Sequence, residues 1–367
     1  MQRIWAMIVK EMWAVLRDPK ARLVLVAPPL IQLFIFAYAT TLDVKHVDIG
    51  LLDRSSGAHS SELVSRIAGS PYFRHIVPFE NFGQLRKAID LQKVHAALVI
   101  DEDFDARLAR GEPATLGLVL DGRRSNASQI VNGYVSRIAG EMGLELLPPR
   151  MQAAAGGSTV TNWFNPTLSY FWFTLPSLVA LITSVSGLAV TSQSVARERE
   201  LGTFDQLMVS PLRVHEILIG KMVPPLIIGM LNGSIYLIVA PVFFGVPFTG
   251  SVLLFFPALF MYMLTVIGIG MFISALSQTQ QQAFLGMFLA AVPLIILSGY
   301  ATPIDNMPGW LQIVTYADPA RYFIVIVQGL FLKAMPASVV FSQLWPLFVI
   351  ACITLSAAAW LFRARME

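Results

Sequence analysis

The amino-acid sequence predicts a membrane all-α protein with about six transmembrane helices and an α/β domain inserted between the first and second of them, outside the cytoplasm. Three observations predict this fold. Charged residues make up 13% of the 367 residues, roughly half the ~25% of a soluble domain, and the mean hydropathy is +0.64. Six apolar runs approach or exceed the ~20 residues needed to cross the hydrocarbon core. Between the first two runs lie about 120 residues of ordinary polarity, enough to bury a core of their own.

The runs are Leu23–Leu42, Tyr170–Gln193, Met222–Gly245, Ser251–Ser277, Ala283–Tyr300 and Phe341–Phe362, and none carries Asp, Glu, Lys, Arg or His in its interior. A further apolar stretch, Ala320–Leu332, lies between Asp318-Pro319 and Lys333. It is too short to span, so residues 303–336 read as a re-entrant or interfacial segment covered by its neighbours. Orientation follows from the basic residues of short loops. Arg3, Lys10, Arg17, Lys20 and Arg22 precede the first run, Arg197, Arg199, Arg213 and Lys221 separate the second from the third, and Arg363 and Arg365 follow the last. Six spans put all three groups on one side and leave Arg321 and Lys333 in the short loops of the other. The expectation is a multi-pass protein of the bacterial inner (plasma) membrane with both termini cytoplasmic.

Within residues 1–21, Ile4, Trp5, Ile8, Val9, Met12, Trp13 and Leu16 recur at helical spacing, with Arg3, Lys10, Glu11, Arg17 and Asp18 on the other side. This is the pattern of an amphipathic helix lying on the cytoplasmic face of the membrane. Residues 22–42 then form the first span. Ala37-Tyr38-Ala39 has the small-x-small look of a signal cleavage site. The long basic region before it and an apolar run of near-spanning length favour an uncleaved anchor.

Residues 43–168 form the inserted domain and its return linker. Val47–Leu52, His75–Phe79, Ala96–Ile100 and Leu116–Leu120 read as strands, and Ser61–Ala68, Phe82–Gln92 and Ser128–Leu147 as helices, an alternation that suggests a mixed sheet. Asp101, Glu102, Asp103 and Asp105 read as an exposed loop after a strand, not as a metal site. Pro148-Pro149 and Ala153–Ser158 read as the linker back to the 169–367 transmembrane domain.

The chain lacks the Gly-x-x-x-x-Gly-Lys-Ser/Thr loop that cradles nucleotide phosphates, and it lacks a nucleophile elbow and a His-Glu-x-x-His pair. Its five histidines are scattered without metal-ligand spacing. No catalytic residue, no metal set and no cofactor of its own are therefore expected, and the chain is not an enzyme by itself. The spans hold only neutral polar side chains, among them Gln32, Thr183, Ser184, Ser186, Asn232, Ser234 and Thr265, the stuff of interhelical hydrogen bonds. Gly229 and Gly233 suit close helix approach in the same way. The single cysteine, Cys352, cannot form an internal disulfide.

The second run ends in Ser192–Ala196 and is followed by Arg197-Glu198-Arg199-Glu200-Leu201-Gly202-Thr203-Phe204, then Ser210-Pro211-Leu212-Arg213-Val214-His215-Glu216-Ile217, before Gly220-Lys221 opens the third run. A helix leaving the membrane, a break at Gly202 and a short second helix with Ser210 as N-cap and Pro211 at its first position are expected. The residues alone leave two readings open, a solvated loop or a handle for a cytoplasmic partner.

The stretch RERELGTFDQLMVSPLRVHEILIGK resembles the signature region of type-2 ABC exporter permeases, and SQTQQQAF at Ser277–Phe284 and LSGYATPIDNMPGW at Leu297–Trp310 are similar to that family as well. Within it the chain looks like the YbhR/YbhS/YhhJ group of bacterial inner-membrane permeases, over nearly its whole length. The resemblance implies an ATP-driven exporter of drugs, lipids or other amphipathic molecules, built from two permease chains, identical or similar, over two separate ATPase subunits that bind the ATP and Mg. It implies a coupling role for loop 194–221, carried by Arg197, Glu198, Glu200, Gly202, Thr203, Ser210, Pro211, Glu216 and Lys221. It also implies a substrate path along the second and fifth spans, for which Thr183, Ser186, Phe284 and Phe288 are the candidates. Members of this shape often work with a periplasmic adaptor and an outer-membrane channel. Two other classes compete. One is a stand-alone ion-coupled or facilitative transporter, as in Na⁺ or Li⁺ extrusion, which uncharged spans disfavour. The other is a membrane sensor, for which the chain shows no cytoplasmic signalling domain.

Overall fold

The computed structural model describes residues 2–17, 19–39, 47–147, 164–165, 169–204, 209 and 212–364. In chain order the helices and strands are α1 (Gln2–Arg17), α2 (Pro19–Ala39), β1 (Val47–Asp53), α3 (Ala58–Ala68), β2 (Phe73–Pro78), α4 (Phe82–Asp90), β3 (Ala96–Ile100), α5 (Phe104–Ala109), β4 (Leu116–Leu120), α6 (Ser125–Glu145), α7 (Tyr170–Glu200), α8 (Val214–Phe244), α9 (Val252–Leu276), α10 (Gln280–Leu297), α11 (Gly309–Val314), α12 (Pro319–Leu332) and α13 (Ala337–Ala364). They divide into two units, Met1–Thr40 with Asn162–Glu367, and Thr41–Thr161.

In the helical unit, α7, α8, α9, α10 and α13 are long and apolar enough to cross a membrane. Their apolar residues do not segregate to one face, because lipid on one side and protein on the other both accept them. The centre is α9, which packs on α7, α8 and α13. Tyr262 is fully buried there; its ring stacks on Phe323 at 4.3 Å and its hydroxyl donates to the Ala180 carbonyl at 3.0 Å, so the one polar atom of a buried ring is satisfied. Close approach of α8 depends on missing side chains. A Cβ at Gly229 would strike Met263, and one at Gly233 would strike Leu259. Helix α2 packs on α7 and on the end of α8, with Tyr38 against Phe171 of α7 and Phe34 and Tyr38 against Phe244 of α8.

Helix α12 has 14 residues, about 21 Å at 1.5 Å per residue, and does not cross. Asp318 caps it by accepting the Ala320 N–H at 2.8 Å. Its last turn is tied to the start of α9, where Gly250 N–H donates to Leu330 O at 2.7 Å and Thr249 N–H to Phe331 O at 3.0 Å. Its first turn meets α9 at Tyr262, ten residues beyond Val252, about 15 Å further along that helix. Gln328 donates to Ser177 Oγ of α7 at 2.8 Å. The helix is sheathed by α7, α9 and α13, as a non-spanning segment at membrane depth must be.

The second unit is a four-stranded sheet in the order β2-β1-β3-β4. β1 runs parallel to β2 and β3, and β4 is antiparallel to β3. One face is covered by α3 and α6 through Ile49, Leu63, Ile67, Leu98, Val131 and Val135. The other is covered by α4 through Leu52, Leu85, Ile89 and Ala97. The strands fall at the apolar runs read from the sequence, except that β2 starts two residues earlier, at Phe73, and ends at Pro78. The acidic stretch differs from the exposed loop expected of it. Helix α5 starts inside it, and the Asp105 carboxylate turns inward to accept Ser55 Oγ–H at 2.6 Å, His59 N–H at 2.6 Å and Ser60 N–H at 3.3 Å. Burial pushes the Asp105 carboxyl up, but these hydrogen bonds outweigh it and hold it below the ordinary value. Asp105 thus supplies, from another helix, the acceptor that the first turn of α3 lacks on its own cap. The return linker predicted at Pro148-Pro149 and Ala153–Ser158 lies outside the described residues.

Candidate functional site

Of the residues singled out around the 194–221 loop, those described gather at one end of the helical unit. Helix α7 does not stop with its apolar run. It continues through Arg197–Glu200, because Arg and Glu are good helix formers, and ends at Leu201, whose N–H bonds Arg197 O at 3.0 Å. Gly202 follows with φ +69°, a left-handed conformation that a Cβ would strain. Thr203 N–H returns to Glu198 O at 2.9 Å. The helix expected to leave the membrane before a break at Gly202 is therefore the last turn of α7.

Helix α8 likewise starts before its apolar run. Val214–Ile217, expected as part of a short separate helix, are its first turn. Arg213 is the cap residue, and Glu216 reaches back to accept the Arg213 N–H at 2.8 Å, the reciprocal half of a capping box. Ser210 and Pro211 lie outside the described residues.

At the centre stands Lys221. Its side chain is 0% exposed, with Nζ at 2.6 Å from Glu198 Oε2 and 3.4 Å from Glu11 Oε1. Lys10 Nζ lies at 3.4 Å from the other Glu198 oxygen and at 3.4 Å from Glu11. Two ammonium groups and two carboxylates join α1, α7 and α8. A charge can stay out of water at Lys221 only because opposite charges are fixed around it. Beside them, Gly220 lets α1 lie against α8, since a Cβ there would collide with Met7.

The same end collects further helix termini. Arg199 donates to Ala275 O at 2.9 Å and Ser277 O at 3.0 Å, the open carbonyls of the last turn of α9. Ser274 Oγ accepts from Val195 N–H at 2.9 Å. Glu200 accepts the Gln280 N–H at 2.7 Å, placing an anion at the positive end of α10. Phe204 is buried between the Arg199 guanidinium at 4.8 Å and Phe362 of α13 at 5.8 Å. Arg197 and Thr203 are exposed. Of the predicted residues, the structure joins Glu198 to Lys221. It sets Glu216 one turn from them, and turns Glu200 to the α10 start. Glu11, Lys10, Ser274 and Phe362 were not singled out from the sequence. Only the placement of Lys10 and Glu11 on the polar side of α1 hinted at the first two.

The path candidates differ among themselves. Thr183 is fully buried and its hydroxyl donates to Val179 O at 2.5 Å and Ala180 O at 3.1 Å, so it is occupied within its own helix. Ser186 is half-buried. Phe284 and Phe288 stand exposed on α10 as an edge-to-face pair at 5.0 Å.

Comparison with known proteins decides the family. The model of the ABC-2 family transporter proteins matches residues 23–361. This chain belongs to the ABC-2 transporter family. It is 42% identical, over 99% of both chains, to an Escherichia coli K12 protein named "Probable multidrug ABC transporter permease YbhR". It is 32% identical to the similarly named YbhS of the same organism, over 90% of this chain and 89% of that one. It is 25% identical to the "Inner membrane transport permease YhhJ", over 99% and 97%. These relatives are named as permeases, and the chain is accordingly a multi-pass membrane protein of a transport family.

Proposed function

We propose that this ABC-2 chain is the transmembrane permease subunit of an ATP-driven exporter of the bacterial inner membrane, and that its charged end is where separate ATPase subunits, holding ATP and Mg, act on it. The buried ion cluster carries the reading. Lys221, Glu198 and Glu11 tie α1, α7 and α8 together at the end where the chain leaves α7 and enters α8. A force applied to the loop between them is then delivered to three helices at once. Arg197, Thr203, Ser210, Pro211 and Glu216 form the docking side of that loop, while Glu198, Glu200 and Lys221 transmit, and Gly202 sets the turn. The meeting of Phe362, Phe204 and α1 at this end supports a common side for both termini, which the basic residues assign to the cytoplasm. With α2 the spans number six, and the α/β unit then faces away from the cytoplasm, open to a periplasmic adaptor and outer-membrane channel. The cargo class is amphipathic, drugs or lipids, passing between two permease chains along α7 and α10, where Ser186, Phe284 and Phe288 offer surface and Thr183 offers shape.

The test is a pull-down of the tagged chain from mild detergent with ATPase activity assayed on the eluate. The expected result is a nucleotide-binding subunit that is lost when Pro211–Glu216 is disrupted. A well-folded preparation without ATPase partner, from cells that express the neighbouring genes, overturns the reading.

A further inference from the structure

We propose that the α/β unit pairs with the same unit of a second copy of this chain, strand β4 against strand β4, to make one continuous eight-stranded sheet across a two-fold axis. Hydrogen-bond register decides which backbone groups of β4 face outward. Asp121 N–H donates to His95 O at 3.2 Å, so His95 and Asp121 are a hydrogen-bonded pair, and in an antiparallel ladder such pairs alternate. The register Ala97↔Val119 and Val99↔Gly117 therefore turns the backbone groups of 117 and 119 toward β3. Leu116, Leu118 and Leu120 turn theirs outward. Among the described residues none of those outward groups has a backbone partner.

The two edges of the sheet contrast. Edge strand β2 carries Arg74, His75 and Pro78, and its pairing with β1 slips in register between Val47 and Asp48. Charge, proline and irregularity are the devices that keep an edge from recruiting another strand. β4 reads LGLVL, with none of them. Its side chains are only half-buried, and Gly117 is exposed.

The occupant follows from complementarity. The strand is uncharged along its whole length, so a second copy meets it without like-charge cost. Being antiparallel to β3, it is continued by another antiparallel strand, and a two-fold axis at Leu118 supplies one. Leu118 then faces Leu118 of the other copy, and Leu116 faces Leu120, giving about six new backbone hydrogen bonds. Because the other edge is blocked, pairing closes at two copies and does not propagate into a fibre. Within the chain's own return linker, Gln152–Gly157 reads QAAAGG, weak strand formers, and the rival stretch is Thr159–Trp163, TVTNW, which the cysteine test below separates from a second copy. The inference uses only the pairing of two permease chains and not the ATPase coupling, so loss of the ATPase in the pull-down leaves it standing.

Single cysteines test the register. In a Cys352→Ala background of the full chain, in native membranes under copper–phenanthroline oxidation, Leu118→Cys places two Cα atoms about 5.5 Å apart, within bridging range. Leu116→Cys alone leaves its copies about 14 Å apart along the strands. The expected result is about tenfold more disulfide-linked dimer for Leu118→Cys than for Leu116→Cys or Leu120→Cys alone, with dimer restored when the last two chains are co-expressed. Absence of a Leu118→Cys dimer overturns the proposal, whether a different chain or the linker covers the edge. Equal crosslinking at all three positions overturns it too, because collision without register gives that pattern. Leu118→Pro is the complementary variant. It removes only an outward N–H, so β3 pairing survives, and it is expected to abolish the disulfide-linked dimer between co-expressed Leu116→Cys and Leu120→Cys chains while each monomer still inserts.

Discussion

Replacing Lys221 by Met keeps an unbranched side chain, one atom shorter, and removes its charge. In the wild type its ammonium lies at 2.6 Å and 3.4 Å from two carboxylates that are themselves only 13% and 17% exposed. Removing one partner of a buried pair costs about 3–5 kcal/mol, because the remaining charge is left unpaired away from water. Lys10 remains at 3.4 Å from Glu198 and Glu11, but it is 56% exposed, and exposed pairs are worth ~0–1 kcal/mol. The net expectation for Lys221→Met is a loss of about 3 kcal/mol, or a fall in the apparent Tm of the detergent-solubilised chain of roughly 6–12 °C. Lys10→Met is expected to lose less than about 1 kcal/mol. Combining Lys221→Met with Glu198→Gln removes both halves of the shortest contact, so the double variant is expected to be more stable than the sum of the singles by more than ~1 kcal/mol. Additivity within ~0.5 kcal/mol, together with a Lys221→Met shift no larger than that of Lys10→Met, would refute the three-helix ion cluster.

Gly220→Val is expected to push α1 off α8 at a cost of about 1–3 kcal/mol, seen as a change in Trp5 and Trp13 fluorescence, and Met7→Ala is expected to rescue it. Asp105→Asn removes a carboxylate that three donors hold at the start of α3. Its folded pKa lies below the unfolded one, so its contribution is present above the unfolded value and fades as pH falls through the folded one. Protection of α3 amides against hydrogen exchange, taken relative to the intrinsic rate at each pH, should therefore fall below about pH 4 in the wild type, and should already be reduced at neutral pH in Asp105→Asn, with less further change on acidification. Glu216→Lys is expected to abolish stimulation of the partner ATPase while leaving insertion intact. Since Glu216 also caps α8, Glu216→Gln serves as the control that keeps an acceptor, and normal stimulated turnover in Glu216→Lys would remove Glu216 from the docking side.

Much of this architecture is legible in the sequence because it depends on composition over long windows. The apolar runs place α7, α8, α9, α10 and α13, and alternation places the four strands, since burial on one or both faces dictates those patterns locally. What stays illegible is set by contacts between distant residues. Lys221 looks like an end-of-span marker, yet it sits within an unbroken helix because Glu198 and Glu11, far away in sequence, neutralise it. The acidic run after β3 looks solvated, yet Asp105 is committed to the start of α3 across 46 residues. The length of Ala320–Leu332 announces a segment that does not cross, but its depth is set by the stacking of Phe323 on Tyr262.

The length of α7 has a mechanical consequence. At 31 residues it measures about 46 Å, against a hydrocarbon core of ~30 Å, so it exceeds a crossing by roughly 16 Å, and the excess includes its charged end, while Ser177 and Ala180 lie within the bundle. Such a rod is a lever arm. A tilt of about 5° displaces one end by roughly 4 Å relative to the other, comparable to the width of a methylene chain. Because Ser177 and Ala180 are the positions that hold Gln328 and Tyr262, a swing of that size cannot be absorbed at the charged end alone. A tilt that carries Ser177 and Ala180 with it strains the Gln328 bond to α12 and the Tyr262 bond to α9 together, and Tyr262 is the ring on which Phe323 of α12 stacks.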